Sequence, residues 1–583
     1  MRVLLLHPED APDGAAWTRE HWDLVIDLGF AGLETYEGWS RTLHAAVRSI
    51  YEFVEKSEGH VWVNQLIQRG RDRLVDRLGL DWWEILANES SQDLSMLYLF
   101  RQLQREIRGG GLELAASRPH RSARIAEHVF GASVRFVWAE RSGVIPRTLR
   151  ALQSAWKLRA AQIAEIAFDK WDSGYQLRRR LAQRDRANIA EPCLLLPTAY
   201  SNVTRSVLAY ASQLPHRRFL LIATRQNAIP SRTGKNVAVS SIAAYTPNQE
   251  STRAERGALQ QAWQEFVRRL RTEDADFRCA ADTGVWDYFP AYLGHGLLLR
   301  DAWAEVLRSE QVTGVLCGDD LNYSTRLPLI LAQKEGLNAV YCSHGALDSG
   351  FFFKKPYADS FLVKGEMEQD YLMRAAIVDR ERIFVGAPAC TQQIPADSRS
   401  ADAIVFFSQP YEVTGARADA VYRQIVPRLQ SVARACKKKL IIKLHPFESV
   451  RARRALVKSA LNHSECESVE IVAGVPPEQV MSRAWCGLTV DSSVAVECAV
   501  NDIPFFLCGW LDFTGDGYLE QFARFGVANV LPSPDHIELI PRMVSDFRPD
   551  PARRERIWRE ADPRQLDAIM FGTRRARLKQ CVC

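Results

Sequence analysis

Three short stretches set chemistry-bearing side chains directly after apolar runs. "KKKLIIKLHPFES" takes the run Leu440–Leu444 into His445-Pro446, with Glu448 and Ser449 just beyond. "CGLTVDSSVAVECAV" takes another run into Ser492 and Ser493, with Glu497 one turn later. "GVLCGDDLNYS" ends a third on Asp319 and Asp320. Pro446 fixes its own φ and biases His445 away from helix, so the imidazole leaves the strand in a set direction. The serine pair falls where a strand turns into a helix, and free N–H groups at such a turn attract an anion. An imidazole and a hydroxyl pair together suit a phosphate, and Glu497 suits a ribose hydroxyl. Taken singly, the serines read as an ordinary helix cap and His445 equally as a hydrogen-bonded strand end. Their joint order is what points to a ligand.

These residues need elements to hold them. Short apolar runs recur between helical stretches, the pattern of an α/β protein with parallel sheets. "RVLLLH" and "WDLVIDLG" read as opening strands, and residues of roughly 38–190 then read as mainly helical. Strands resume at "PCLLLPTA", "RFLLIATR", "NVAVSSIA", "TGVLCGDD", "NAVYCSHG", "SFLVKG" and "RIFVGAP". After the polar linker "TQQIPADSRSAD" a second alternation runs through "AIVFFSQP", "LIIKLHP", "VEIVAG", "CGLTVDSS" and "PFFLCG". Two Rossmann-like halves follow from this, hinged near 390–402. The N-terminal domain is expected over 1–395 with a helical insertion at about 38–190, the nucleotide-binding domain over 402–550, and a helical tail over 551–583. Ligands of such sheets bind beyond the carboxyl ends of the strands, so the two halves are expected to face a cleft.

Composition narrows the function classes. A chain of 583 residues exceeds one core. A net charge of +5 with 25% charged residues does not describe a nucleic-acid binder. No apolar stretch approaches the roughly 20 residues of a bilayer span, and "MRVLLLHPED" is too short for a signal-peptide core. The 12 cysteines are scattered without a CxxC pair or zinc spacing. A cytoplasmic protein is expected, with basic stretches such as "QLRRRLAQRDR" able to meet the anionic inner-membrane surface. Asp274-Ala275-Asp276 has the DxD spacing of metal-dependent transferases, but it does not follow a strand and reads as solvated charge, so no metal is expected.

"KLHP" followed by "DSSVAVECAVNDIPFF" resembles the C-terminal nucleotide-binding half of bacterial surface-polysaccharide glycosyltransferases of the GT-B fold. It is similar to the HP and SS motifs of polysialyltransferases and capsule Kdo transferases. The resemblance implies that His445, with Pro446, and Ser492 and Ser493 contact the phosphate of a CMP-activated sugar. "FFSQPYE" is similar to the family's donor-site loop, which makes Gln409 and Glu412 candidates. The family usually reads Lys-Pro-His-Pro where this chain has Leu444, a mild departure. "VYCSHGALDSG", with His344 and Gly345, also resembles these enzymes and the related glycerophosphate transferases. The resemblance covers roughly residues 310–510 and hardly touches the first 190.

For a CMP-activated ulosonic sugar, the donor site needs cations or N–H groups for a carboxylate as well as a phosphate. Lys443, Arg326 and Lys364 are the candidates, although each alone reads as solvated charge. His445 as imidazolium and the helix N-terminus would stabilise departing CMP without metal or other cofactor. Transfer also needs a carboxylate at the anomeric carbon, a base for inversion or a nucleophile for retention. Asp319 or Asp320 fits that role, with His344 on the neighbouring strand; the plain alternative is that one of them caps the helix beginning near Tyr323. The expected activity is transfer of Kdo or another ulosonic acid to a glycan or lipid-linked glycan acceptor. The alternatives are a CDP-glycerol or UDP-sugar donor, a nucleotide-sugar epimerase, or a non-catalytic assembly scaffold. A second His-Pro, His7-Pro8, follows the first strand and has no confirming motif.

Overall fold

A computed structural model describes residues 1–8, 10, 20–53, 61–70, 82–107, 111–118, 121–137, 185–247, 249–286, 289–320, 322–345, 347, 357–374, 378–388, 394–395, 398–411, 416–512 and 518–572. Among them the strands form three parallel sheets of five, seven and six strands. The first contains β1 (Arg2–Leu6), β2 (Leu24–Asp27), β3 (Ala46–Ser49), β4 (Glu113–Ala116) and β5 (Val134–Phe136), in the order β3-β2-β1-β4-β5. The second contains β6 (Cys193–Thr198), β7 (Arg218–Ala223), β8 (Val237–Ser241), β9 (Val312–Cys317), β10 (Asn338–Cys342), β11 (Ser360–Val363) and β12 (Ile383–Val385). Its order is β12-β11-β10-β9-β6-β7-β8. The third, ordered β15-β14-β13-β16-β17-β18, contains β13 (Ala403–Phe407), β14 (Lys439–Lys443), β15 (Val469–Val472), β16 (Ala484–Thr489), β17 (Phe505–Cys508) and β18 (Asn529–Leu531).

All three sheets are wound alike. The earliest strand lies inside the sheet, the next two extend to one side, and the chain then returns to its other side. This is the doubly wound, Rossmann-like order, with a switch point where direction reverses: between β1 and β4, β6 and β9, and β13 and β16. Strands covered on both faces must be apolar throughout. Accordingly every residue of β6, β10, β11, β13 and β17 is buried.

The α/β, Rossmann-like class is as expected, but the described strands form three sheets where two were expected. The described part of 38–190 is not only helical: it supplies β3 and β4, which pair in parallel with the opening strands, and β5, which pairs in parallel with β4. The chain divides into one compact unit of Met1–Trp62, Ser95–Val144 and Thr391–Ile557, and another of Val63–Leu94, Ile145–Cys390 and Trp558–Cys583. This differs from a single N-terminal domain over 1–395, because buried contacts such as Arg417 with Asp27 group the first sheet with the third. The expected tail over 551–583 is also divided. Pro551–Ile557 belongs to the first unit, whereas Pro563–Phe571 packs on the second sheet, where Asn338 Nδ2 donates to Ile569 O and Met570 O.

One glycine fixes how closely the third sheet packs beside its switch point. A Cβ on Gly487, in β16, would stand 2.4 Å from Phe505 Cε2 and 3.2 Å from Phe407 Cε2. Gly487→Ala is therefore expected to destabilise the protein by about 1–3 kcal/mol, the usual cost of overpacking. Gly257→Ala, in open space on a helix, is expected to be neutral or slightly stabilising. Denaturant midpoints of the two variants check both statements.

Candidate active site

At the switch point of the third sheet three strands deliver polar residues to one sheet edge. β13 runs into Ser408 and Gln409, β14 into Leu444 and His445, and β16 into Asp491, Ser492 and Ser493. Gln409 Oε1 accepts from Asp491 N at 3.2 Å, joining the ends of β13 and β16 across the switch point. Ser408 N donates to Lys443 O at 2.9 Å, joining β13 to β14.

Glu448 is the hub of this edge. Its side chain is fully buried. Oε2 accepts from His445 N at 2.7 Å, and Oε1 accepts from Ser408 Oγ at 2.7 Å and Arg453 Nε at 2.6 Å. Arg453 Nη2 in turn donates to Gln409 O at 3.2 Å, and its guanidinium lies over the rings of Tyr411 and Tyr422. A charged pair buried this deeply holds the turn after β14 and the turn after β13 in one geometry. Ser408, Glu448 and Arg453 were not among the expected site residues. The available signal was a carboxylate three residues after His445 and an arginine on the helix Val450–Ala460 that follows.

His445 itself is half-buried. Its Nδ1 accepts from Phe447 N at 3.3 Å. Since a backbone N–H can only donate, the neutral ring carries its proton on Nε2. Burial first, and then the nearby Lys443 ammonium, hold the imidazole below its ordinary value. In its neutral form the ring thus presents an Nε2–H donor. Burial likewise lowers Lys443, whose Nζ donates to Leu444 O at 2.9 Å.

Ser492 and Ser493 lie at the start of the helix Val494–Val500. Ser492 Oγ accepts weakly from Val494 N at 3.4 Å, and Ser493, the N-cap, makes no side-chain cap bond. The helix has only 7 residues, so its dipole supplies less than the expected anion site assumed. Glu497 is half-buried in that helix. Glu412 lies outside the described residues.

The second unit carries the other set. Asp319 and Asp320 follow β9 beside the switch point of the seven-stranded sheet, and both are buried. Neither is the N-cap of the helix Tyr323–Lys334; Asn322 fills that place, accepting from Ser324 N, while Asp319 Oδ1 accepts a 3.4 Å bond from Asn322 N. His344 follows β10, and its Nδ1 is 2.7 Å from Gly318 O. A carbonyl accepts, so Nδ1 carries the proton and the neutral ring keeps its lone pair on Nε2. The two histidines therefore present opposite atoms: His445 a donor, as an anion requires, and His344 an acceptor, as a base requires.

The candidate cations of this unit are not solvated charge. Lys364 is buried, and Nζ donates to Ser343 O at 3.1 Å, Gly345 O at 2.7 Å and Glu368 Oε1 at 2.8 Å. Two of its donors hold the turn that carries His344 and Gly345 and the third goes to Glu368, which gives it a scaffolding place. Arg326 is buried within its helix with its guanidinium 5.2 Å from the Tyr357 ring. Asp274 and Asp276 are engaged by Arg69, at 3.1 and 3.0 Å, and Asp274 also caps the helix Ala275–Asp282. Among the described residues no helix is long and apolar enough to cross a membrane.

No protein-family model matches the chain, and no curated protein matches it. Solved structures that superpose on it include UDP-GlcNAc 2-epimerase from Neisseria meningitidis bound to UDP-GlcNAc, at 10% identity and TM-score 0.39 over 67% of this chain and 100% of that one. A putative UDP-N-acetylglucosamine 2-epimerase from Listeria monocytogenes superposes at 9% identity and TM-score 0.39, over 64% and 92%. Spinosyn rhamnosyltransferase SpnG, complexed with thymidine diphosphate, does so at 13% identity and TM-score 0.37, over 65% and 96%. Likeness at these scores says nothing of activity.

Proposed function

We propose that the chain is a nucleotide-sugar-dependent glycosyltransferase whose nucleotide phosphate binds at the switch point of the third sheet. The observation that carries this reading is the convergence of Gln409, His445 and Ser492–Ser493 from three strands on that edge, with His445 and Gln409 braced through Glu448 and Arg453. In doubly wound sheets this is where ligands bind. The neutral His445 offers Nε2–H to a phosphate oxygen, and a bound phosphate in turn favours protonation of the ring. As phosphate charge develops on the leaving nucleotide, that donor strengthens. In the second unit, His344 with Asp319 or Asp320, all following strand ends, are the candidate groups for exchanging a proton with a hydroxyl.

The His-Pro and Ser-Ser motifs favour a CMP-activated ulosonic acid such as Kdo as donor, and a surface glycan or lipid-linked glycan as acceptor. CDP-glycerol or UDP-sugars are the competing donors, since the His-Gly stretch is shared with glycerophosphate transferases. Calorimetric titration of the full chain with CMP, CDP and UDP, without added metal, separates them. Preferential CMP binding is expected; preference for CDP or UDP moves the donor class, and no binding of any of the three overturns the reading. Conversion of UDP-GlcNAc without an acceptor would instead support an epimerase.

A further inference from the structure

The first sheet has the same winding as the third, yet the carboxyl ends of β1 and β2 at its centre are filled by a side chain of this chain. Arg417 is fully buried there. Its Nε donates to both carboxylate oxygens of Asp27, at 3.0 and 2.8 Å, and Nη2 donates to Asp27 Oδ1 at 2.7 Å and His7 O at 2.8 Å. Nη1 donates to Pro8 O at 3.0 Å and Asp10 O at 2.6 Å. All five N–H groups of the guanidinium are thereby used, and Trp39 lies 5.0 Å from it. Asp27 is itself oriented, accepting from Gly29 N and Tyr36 Oη at 3.0 Å each. A carboxylate and three carbonyls form an acceptor-only cradle, which suits a guanidinium and repels a phosphate. Hence His7-Pro8, unlike His445-Pro446, serves an internal contact.

Arg417 ends the segment that leaves β13 and begins the helix Ala418–Ala435. Its N donates to Phe30 O at 3.0 Å, and Ala416 pairs with Phe30 as a parallel bridge. Ala416 N donates to Tyr411 O at 3.0 Å, and Tyr411 N donates to Gln409 O at 2.8 Å. A continuous line of contacts thus runs from Asp27 to Gln409. We propose that Asp27 and Arg417 are positioning residues for the nucleotide site: the first sheet pins the far end of the segment leaving β13 and so fixes Gln409. This rests on the nucleotide reading above for its consequence, but not for the anchoring itself.

The test compares full-length Asp27→Asn and Arg417→Lys with Gln424→Leu. Gln424 also ties the helix Ala418–Ala435 to the turn after β2, through Ala31 O, but lies beyond the segment. Lysine at 417 keeps the charge and loses the fork, and it carries the same test if the Asp27 variant does not fold. Hydrogen exchange at Tyr411, Ala416 and Arg417 is expected to quicken at least tenfold in the two anchor variants and to stay unchanged in Gln424→Leu. CMP affinity is expected to fall at least tenfold in the anchor variants alone. Unchanged exchange in both anchor variants overturns the proposal, as does loss of affinity that merely follows lost stability in all three. If the wild type binds none of CMP, CDP or UDP, the nucleotide reading fails, and exchange still decides the anchoring.

Discussion

His445→Ala is expected to weaken CMP binding by about tenfold to a hundredfold while leaving the unfolding midpoint nearly unchanged. The magnitude follows from roughly 1.5–3 kcal/mol for a hydrogen bond to a charged group, at about 1.4 kcal/mol per tenfold. Stability is spared because the half-buried imidazole accepts only the 3.3 Å bond from Phe447 N, while the braced group is the backbone N–H of His445, which alanine keeps. The same residue sets a pH dependence. Burial and Lys443 depress the ring's value in the free protein, and a bound phosphate raises it. Wild-type affinity therefore climbs as pH falls from the complex's pKa to the free protein's, and levels off below that. The second ionisation of the phosphate, near pH 6, is common to both proteins, so the difference between wild type and His445→Ala isolates the histidine. Calorimetry at several pH values checks it. Equal affinities at every pH would remove His445 from the site.

The second large effect is expected at Glu448. Its carboxylate and the Arg453 guanidinium are both buried, with side-chain exposures of 0% and 4%. Removing one member of such a pair leaves an uncompensated charge and costs about 3–5 kcal/mol. Glu448→Ala also takes the acceptor from the His445 amide and leaves Ser408 Oγ with Tyr422 Oη as its remaining side-chain partner among the described residues, so CMP binding should fall below detection even where the variant still folds. Glu448→Gln retains an acceptor and is expected to lose less. Denaturant unfolding read with and without CMP separates the two losses. An alanine variant within about 1 kcal/mol of wild type would show that the pair is not the brace described.

The apolar runs named from sequence as strands became β1, β2 and β6 to β17, most of them because parallel strands covered on both faces must be apolar along their length, whereas the edge strands β12 and β15 are partly exposed. The four that escaped, β3 ("AVRS"), β4 ("ELAA"), β5 ("VRF") and β18 ("NVL"), are three or four residues long and partly exposed. Nothing local distinguishes such segments from a helix turn or a loop. His445, the serine pair, Asp319, Asp320 and His344 were legible because they directly follow long apolar runs. What holds them was less so. Glu448 and Arg453 lie five residues apart in sequence, so their pairing was within reach of a local reading, whereas Lys364 as a clamp on the His344 turn was not.

The protein's sequence by itself determined the class of its elements and which polar residues stand at their ends, since burial and backbone geometry act over a few residues. Tertiary structure alone decided that the described strands form three sheets, that the opening strands group with the third, and that Arg417 occupies the cradle at Asp27. Those outcomes depend on which distant surfaces pair. Asp27 and Arg417 are 390 positions apart, and at that separation hydrophobic period and spacing carry no information about the partner.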